Sequence, residues 1–134
     1  MVKPLTFMNN SGFAVKQVVD YYRIPQSQVL IVLDDLDLQF GVLRIRPGGG
    51  DAGNRGLRSI IREMGNEEIP RLRFGIRNRD RIANPSSYVL SPFTRKEQAS
   101  LSQLLPIVCD AIKTWVCQGI DVSMNQFNGN HLET

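Results

Sequence analysis

Residues 28–33 (QVLIVL) decide the fold class, because Gln28 is followed by five consecutive apolar residues. A continuous run of β-branched residues and leucine is typical of a buried strand in a largely parallel sheet. The acids Asp34, Asp35 and Asp37 follow directly, so we expect them at the carboxyl end of that strand. Ligands bind at this edge of open α/β sheets, which makes Asp34 a candidate functional residue.

A loop carboxylate or a turn cap is the commoner role for a single aspartate. Because three acids occur within four residues, a functional role for Asp34 is about as well supported as a role in a loop or turn cap. Asp35 and Asp37 are expected to face water or to bond the backbone.

Helix and strand patterns alternate along the chain, which predicts an α/β fold. Residues 41–46 alternate apolar and basic side chains, as a strand with one solvated face does. The other predicted elements are helices over about 11–22, 57–64, 94–118 and 121–127, a strand over 72–76 and a polar loop over 78–85. We therefore expect one domain over residues 1–128, a mixed, largely parallel sheet flanked by helices, and a disordered tail over 129–134.

The formal net charge is only +3, but the charge is unevenly distributed. Between residues 44 and 81 every basic residue is an arginine, and arginine pairs with phosphate through two parallel hydrogen bonds. A solvated surface is the ordinary explanation for such charge. The local excess of arginine nevertheless favours a polyanionic partner.

The few cysteines and the single histidine limit the chemistry that can be expected. Cys109 and Cys117 lie about 12 Å apart along one predicted helix, too far for a disulfide, and are expected to be core thiols in a reducing compartment. With His131 as the one histidine, neither a metal site nor a cofactor is expected. No apolar run of about 20 residues and no leader pattern occur, so neither a membrane span nor a signal peptide is expected.

A glycine loop, residues 47–53 (PGGGDAG), precedes the second predicted helix. Its backbone N–H groups and the helix N-terminus could bind an anion, although a flexible connector is equally common. The loop matches neither a Walker motif nor a dinucleotide-binding fingerprint. Together with Arg44, Arg46, Arg55 and Arg58 it favours contact with phosphate.

Met8 and Asn9 stand just before the first predicted helix. The Asn9 side chain offers both a donor and an acceptor, which suits the reading of a peptide amide or the positioning of water. Capping of the helix is the commoner role for this segment, and the residue types alone favour it.

Five stretches, taken together and in this order, resemble the bacterial-type peptidyl-tRNA hydrolase family. The two most specific are the Phe-Met-Asn and Asp-Asp-Leu-Asp segments, and the likeness extends to about Phe127. The stretches are 3–12 (KPLTFMNNSG), 33–38 (LDDLDL), 48–60 (GGGDAGNRGLRSI), 71–76 (RLRFGI) and 88–90 (YVL).

The resemblance implies a hydrolase that cleaves the ester between a peptide, or an N-blocked amino acid, and the 3′ end of tRNA. It implies action in the cytoplasm or in a eukaryotic organelle, with no metal or cofactor, by a monomer whose partner is peptidyl-tRNA or tRNA. No membrane partner is implied.

The same resemblance implies roles for individual residues. Asp34 matches the acid that orients the family's catalytic histidine, and Met8 and Asn9 match residues that line the substrate cleft. Arg46 and Arg73 match basic positions that bind tRNA phosphate. With Arg44 and Arg58 they make up the predicted tRNA contacts.

Two departures from the family pattern change the expectation for this chain. The family's first strand, with an Asn and the catalytic His that follow it, has no counterpart in this sequence, and His131 stands elsewhere. Asn54 stands at the His position of the family's Gly-Gly-His-Asn-Gly loop, and Arg55 stands at the Asn position, where both are expected to contact substrate.

A general base contributes about 10²–10⁴-fold to a rate. We therefore expect the chain as given to hydrolyse peptidyl-tRNA weakly or not at all. A non-catalytic RNA-binding relative, which keeps the arginine surface and lacks the chemistry, is the alternative.

Overall fold

A computed structural model describes residues 1–77 and 92–132 of the chain. Within these ranges it contains four strands and four α-helices, which confirms the predicted mixed α/β class. The predicted polar loop over 78–85 and the stretch 88–90 lie outside the described residues. The strands are β1 Ile31–Gln39, β2 Val42–Arg46, β3 Arg71–Arg77 and β4 Gly129–Asn130, and the helices are α1 Ser11–Tyr22, α2 Arg55–Met64, α3 Arg95–Gln118 and α4 Ile120–Phe127.

The chain divides into two compact units. The first unit comprises Met1–Ile31 and Arg46–Arg71 and contains α1 and α2. The second unit comprises Val32–Ile45 and Leu72–Thr134 and contains most of the sheet together with α3 and α4. The single domain expected over residues 1–128 stays a prediction.

The sheet has the strand order β1-β3-β2-β4 within the described residues. The Ile31 N–H donates to the Pro70 carbonyl before β3, and the Phe40 N–H donates to the Arg77 carbonyl at its end, both at 3.0 Å. These two bonds show that β1 and β3 run in the same direction. Strands β2 and β4 are antiparallel, so the sheet is mixed, as the sequence predicts.

The strand predicted over 28–33 begins later and ends later than expected. Pro25 starts a 3-10 turn, Gln26–Gln28, whose last N–H donates to the Pro25 carbonyl at 2.9 Å. Strand β1 therefore starts at Ile31 and continues through the three acids to Gln39. Asp34 consequently lies inside a strand, and its predicted place at the carboxyl end of the strand is wrong.

The disordered tail expected from residue 129 stays a prediction, although the chain pairs with β2 at Gly129–Asn130. Asn128 bonds the Ile45 backbone at both ends: its Oδ1 accepts from the Ile45 N–H at 2.5 Å and its Nδ2 donates to the Ile45 carbonyl at 3.1 Å. Gly129 then lies opposite Leu43, and the His131 N–H donates to the Gly41 carbonyl. An amide side chain that imitates a strand neighbour thus aligns the short strand β4.

The two cysteines are exposed on α3, so their prediction as core thiols is wrong. The core face of this helix consists of Leu104, Val108 and Ala111, which recur at helical spacing. Cys109 and Cys117 fall outside that face. Neither residue type nor local hydrophobicity separated them from the neighbouring core positions.

Helices α1 and α2 pack closely in the first unit because Gly12 has no side chain. The Gly12 N–H donates to Ser59 Oγ at 2.9 Å in a buried hydrogen bond between the two helices. A Cβ added at Gly12 would overlap the Ser59 carbonyl group. The approach of α1 to α2 therefore depends on this glycine.

The substitution Gly12→Ala should destabilise the first unit, because the helices would have to separate and the buried hydrogen bond would lengthen. Overpacking of this kind costs about 1–3 kcal/mol. We expect a fall of several degrees in the thermal unfolding midpoint, measured by circular dichroism. Gly50→Ala is the control, because a Cβ at Gly50 meets nothing within 4 Å. Equal midpoints for the two variants would contradict this account of the helix contact.

Candidate functional site

The segment that carries Met8 and Asn9 forms a 3-10 turn, Met8–Asn10, that packs against α2 in the first unit. A Cβ placed on Gly56 would lie 3.0 Å from Met8 Sδ and 3.2 Å from Asn54 Oδ1. The side chains of Met8 and Asn54 therefore both lie close to Gly56 at the first turn of α2, where the glycine leaves room for them. The structure thus brings together two of the four residues predicted to bind substrate.

Asn9 does not cap α1. The N-cap residue is Asn10, and its side chain makes no capping hydrogen bond. The Asn9 side chain is exposed, and within the described residues it has no hydrogen-bond partner. The amide that the residue types assign to a cap is consequently available to a ligand.

Asn54 and Arg55 begin α2. Asn54 is the N-cap, and its Oδ1 accepts from the Leu57 N–H at 2.9 Å. Arg55 is exposed in the first turn, which contains no acid. A cation is unfavourable beside the positive end of the helix dipole. An anion bound at this place would be attracted both by the Arg55 guanidinium and by the N-terminus of α2.

Asp34 lies in β1, in the second unit, and is half-buried. The loss of water around its carboxyl raises the pKa of Asp34, and the charge of Asp35 raises it further, against a backbone hydrogen bond that lowers it. A carboxyl in such surroundings can hold a partner N–H in one orientation. The catalytic role of Asp34 stays a prediction.

The predicted role of Arg73 in tRNA binding does not fit its surroundings. Its Nη1 lies 2.7 Å from Asp35 Oδ2, and the side chains of Arg73 and Asp35 are 15% and 6% exposed. Asp35 Oδ1 also accepts from the Asp37 N–H at 2.7 Å. The expectation that Asp35 faces water or bonds the backbone is therefore confirmed, through the backbone bond. A largely buried guanidinium that is already paired is poorly placed to bind phosphate.

The other three arginines predicted to contact tRNA are exposed. Arg44 and Arg46 alternate along β2 with the buried residues Leu43 and Ile45, which confirms the predicted strand with one basic face. Arg58 lies on α2, where its Nε donates to Asp51 Oδ2 at 2.9 Å. The hydrogen bond from Arg58 lowers the pKa of Asp51, and a bond from the Gly53 N–H lowers it further. Phosphate would therefore have to share Arg58 with Asp51.

Metal and membrane features are absent from the part of the chain that the structure describes. Residues 1–77 and 92–132 contain no group of three His, Cys, Asp or Glu side chains that could hold a metal ion. No helix in these ranges has the length and apolar character needed to cross a bilayer.

The sequence did not reveal that Arg71 and Arg73 are withdrawn from solvent. Both lie on one side of β3, since side chains two residues apart point the same way. Arg71 is only 2% exposed. The sequence feature that could have indicated their burial is arginine at alternate positions of an otherwise apolar strand, together with acids on a neighbouring strand.

The raised pKa of Asp34 predicts how stability changes with pH. The native state holds this proton more tightly than the unfolded chain, so stability contributed by protonated Asp34 is lost as pH rises from the ordinary carboxyl pKa through the raised one. The substitution Asp34→Asn removes the ionisable carboxyl, so the variant does not lose this stability as pH rises. We expect the variant to gain stability relative to the wild type as pH rises through that window, measured by urea unfolding at several pH values. Asp37→Asn, at an exposed position of β1, is the control. A difference between Asp34→Asn and wild type that does not change with pH would contradict the burial of this carboxyl.

Comparison with known proteins gives one consistent result. The peptidyl-tRNA hydrolase family model matches residues 1–134. The peptidyl-tRNA hydrolase of Trichodesmium erythraeum is 42% identical over 134 residues, which cover 96% of this chain and 61% of the relative. That of Carboxydothermus hydrogenoformans is also 42% identical, over 96% of this chain and 68% of the relative.

A solved structure supports the same relationship. The crystal structure of peptidyl-tRNA hydrolase from Acinetobacter baumannii superposes with a TM-score of 0.83 at 32% identity, covering 95% of this chain and 64% of that one. The chain thus spans about two thirds of the length of the relatives that it matches. By sequence and by fold, the chain belongs to the peptidyl-tRNA hydrolase family.

Proposed function

We propose that the chain serves the reaction after which its family is named, hydrolysis of the ester that joins a peptide to tRNA. The observation that carries this proposal is the meeting of the Met8–Asn10 turn with the first turn of α2. That junction presents an exposed, unpaired amide on Asn9 and an exposed cation on Arg55. A substrate that combines peptide amides with phosphates offers a partner to each of these groups.

Asn9 and Asn54 are proposed to contact the peptide end of the substrate. The Asn9 side chain can donate to a peptide carbonyl and accept from a peptide N–H at the same time. Asn54 uses its oxygen to cap α2, so its NH₂ group is the part that remains for a ligand. Met8, which is 53% exposed, adds an adaptable apolar surface to the same junction.

The RNA end of the substrate is proposed to bind exposed arginines. Arg44 and Arg46 on β2 and Arg55 and Arg58 on α2 carry guanidinium groups at the surface. Each group that neutralises a phosphate releases counterions, so binding should weaken steeply with salt. Arg73 is left out of this set because it is paired with Asp35 inside the second unit.

Asp34 is proposed to orient a general base by accepting its N–H, as the family resemblance implies. His131 is the one histidine among these 134 residues. Its Nε2 lies 2.5 Å from the Phe127 carbonyl, so that nitrogen donates to the end of α4. We propose that these residues by themselves bind substrate but hydrolyse it slowly, because a missing base lowers a rate by about 10²–10⁴-fold. A monomeric state and a cytoplasmic location stay predictions.

An RNA-binding protein without hydrolase activity is the second candidate. It is favoured by Arg55, a cation at a position where the family pattern has a neutral amide. Such a protein would bind the RNA through its phosphates and would gain little from the attached peptide.

Binding of acylated tRNA separates the two candidates. The probe is tRNA that carries N-acetylphenylalanine through a 3′ amide, which resists cleavage, compared with deacylated tRNA. We expect tighter binding of the acylated form. Asn9→Ala should weaken it by about 3–10-fold, the worth of one net hydrogen bond, and leave deacylated tRNA unaffected.

Asn125→Ala is the matched control for this experiment, because Asn125 is an exposed asparagine on α4. Fluorescence anisotropy at fixed salt gives six dissociation constants, for the wild type and the two variants with each of the two tRNAs. Equal binding of the two tRNAs, unchanged by Asn9→Ala, would favour the RNA-binding protein and would remove Asn9 from the substrate contacts.

Hydrolysis itself is measured by release of labelled peptide from ester-linked peptidyl-tRNA. We expect the 134-residue chain to be slower by about 10²–10⁴-fold than the full-length Acinetobacter relative assayed beside it. Asp34→Asn should lower any residual rate without changing tRNA affinity. Turnover equal to that of the relative would refute the proposal that these residues lack an effective base.

A further inference from the structure

Arg71 joins two loops that flank α2. Its Nη1 donates to the Gly50 carbonyl at 2.5 Å, in the glycine loop before the helix. Its Nη2 donates to the Glu67 carbonyl at 3.1 Å and its Nε to the Ile69 carbonyl at 3.0 Å, in the loop that follows the helix. Arg71 is only 2% exposed, so these bonds form away from water. All of these residues belong to the first unit.

The backbone reinforces this connection between the two loops. The Gly49 N–H donates to the same Glu67 carbonyl at 3.1 Å. A Cβ at Gly48 would lie 3.0 Å from that carbonyl oxygen and 3.2 Å from Glu68 Cα. The start of the glycine loop, at Gly48 and Gly49, therefore packs against residues 67–68.

The start of α2 follows directly from the part of the loop that Arg71 holds. The Asp51 carbonyl accepts from the Asn54 N–H at 2.9 Å, and Asp51 Oδ1 accepts from the Gly53 N–H at 2.8 Å. These bonds connect the residue after Gly50 to the N-cap of the helix. The position of Gly50 thus sets where Asn54 and Arg55 lie.

Burial of a guanidinium costs desolvation free energy, which simpler contacts between the two loops would not require. Its desolvation must be offset by hydrogen bonds, and only the planar fork of arginine can reach three carbonyls on two segments at once. A lysine at the same place would keep the charge and lose this geometry. The arrangement therefore favours precision in the placement of the loop.

We propose that Arg71 is a positioning residue that orients the glycine loop, and with it Asn54 and Arg55, for binding of acylated tRNA. Arg71 touches no phosphate itself. The ligand in this proposal rests on the proposed function, whereas the effect of Arg71 on the loop does not.

The test compares Arg71→Lys with Arg55→Gln in titrations of the 3′-amide-linked tRNA at several salt concentrations. Arg71→Lys should weaken binding about tenfold, because misplaced contacts lose much of their worth. The slope of log affinity against log salt should fall by no more than it does for Arg55→Gln, because Arg71 contacts no phosphate itself and Arg55 is the phosphate-binding residue that moves with the loop. Arg55→Gln should reduce the slope by about 0.7–0.9, the change expected for one phosphate contact. Arg62→Lys, at an exposed position of α2, is the control and should change neither quantity.

Two variants and a second readout keep the test decisive. Gly48→Ala pushes the loop away from residues 67–68 without altering Arg71, and it should weaken binding with a change of slope no larger than that of Arg55→Gln. Amide hydrogen exchange, followed by NMR, should show lost protection at Gly49 and Asn54 in either variant while α3 stays protected. If Arg71→Lys fails to fold, Gly48→Ala carries the test alone.

Three results would overturn the proposal. Wild-type affinity of folded Arg71→Lys and Gly48→Ala at low temperature would show that the connection only stabilises the fold. A salt slope for Arg71→Lys that falls further than that of Arg55→Gln would show that Arg71 contacts phosphate itself. Unchanged exchange at Gly49 and Asn54 would show that the loop does not depend on Arg71. Failure of the wild type to bind tRNA would refute the proposed function and the ligand named here, while the exchange experiment would still decide whether Arg71 orders the loop.

Discussion

The donors of the Arg71 guanidinium must find acceptors inside the protein, and the first unit depends on how they do so. Three of them bond carbonyls on either side of α2, which brings the glycine loop against residues 67–68. That contact determines where α2 starts. The start of α2 in turn determines where Asn54 lies and which surface the Met8–Asn10 turn meets. A buried charge that must be satisfied is therefore the origin of the candidate binding surface.

The same rule explains why acids stand inside β1 in the second unit. Asp35 is tolerated in the strand because Arg73, on β3, pairs with it at 2.7 Å. Asp34 has no such cation among the causes that set its pKa, and burial raises that pKa. Two adjacent aspartates thus acquire different properties from their neighbours. Asp35 stabilises the pairing of β1 with β3 through Arg73. Asp34 keeps a half-buried carboxyl with a raised pKa.

The sequence predicted those elements that local patterns determine. Helix α2 followed from Leu57, Ile60 and Met64 at helical spacing and from Gly65, which ends the helix in the left-handed conformation. The basic face of β2 followed from strict alternation. The bounds of β1 could not be predicted, because the pairing that admits Asp35 involves a residue 38 positions away. Likewise, nothing local shows that Arg71 is buried, or that Asn128 bonds the backbone of Ile45 and aligns β4. The sequence predicted four candidate site residues, Met8, Asn9, Asn54 and Asp34. That Met8 and Asn54 both lie beside Gly56 could be learned only from the structure.

The proposed function depends most on contact between the Asn9 amide and the peptide of an acylated tRNA. The most direct measurement is the NMR signal of the Asn9 side-chain NH₂ group, followed while an acceptor-stem minihelix is added with or without N-acetylphenylalanine on a 3′ amide. We expect this signal to shift with the acylated minihelix and hardly at all with the bare one, while backbone amides at the start of α2 shift with both. An Asn9 signal that responds equally to the two minihelices, or to neither, would contradict this contact.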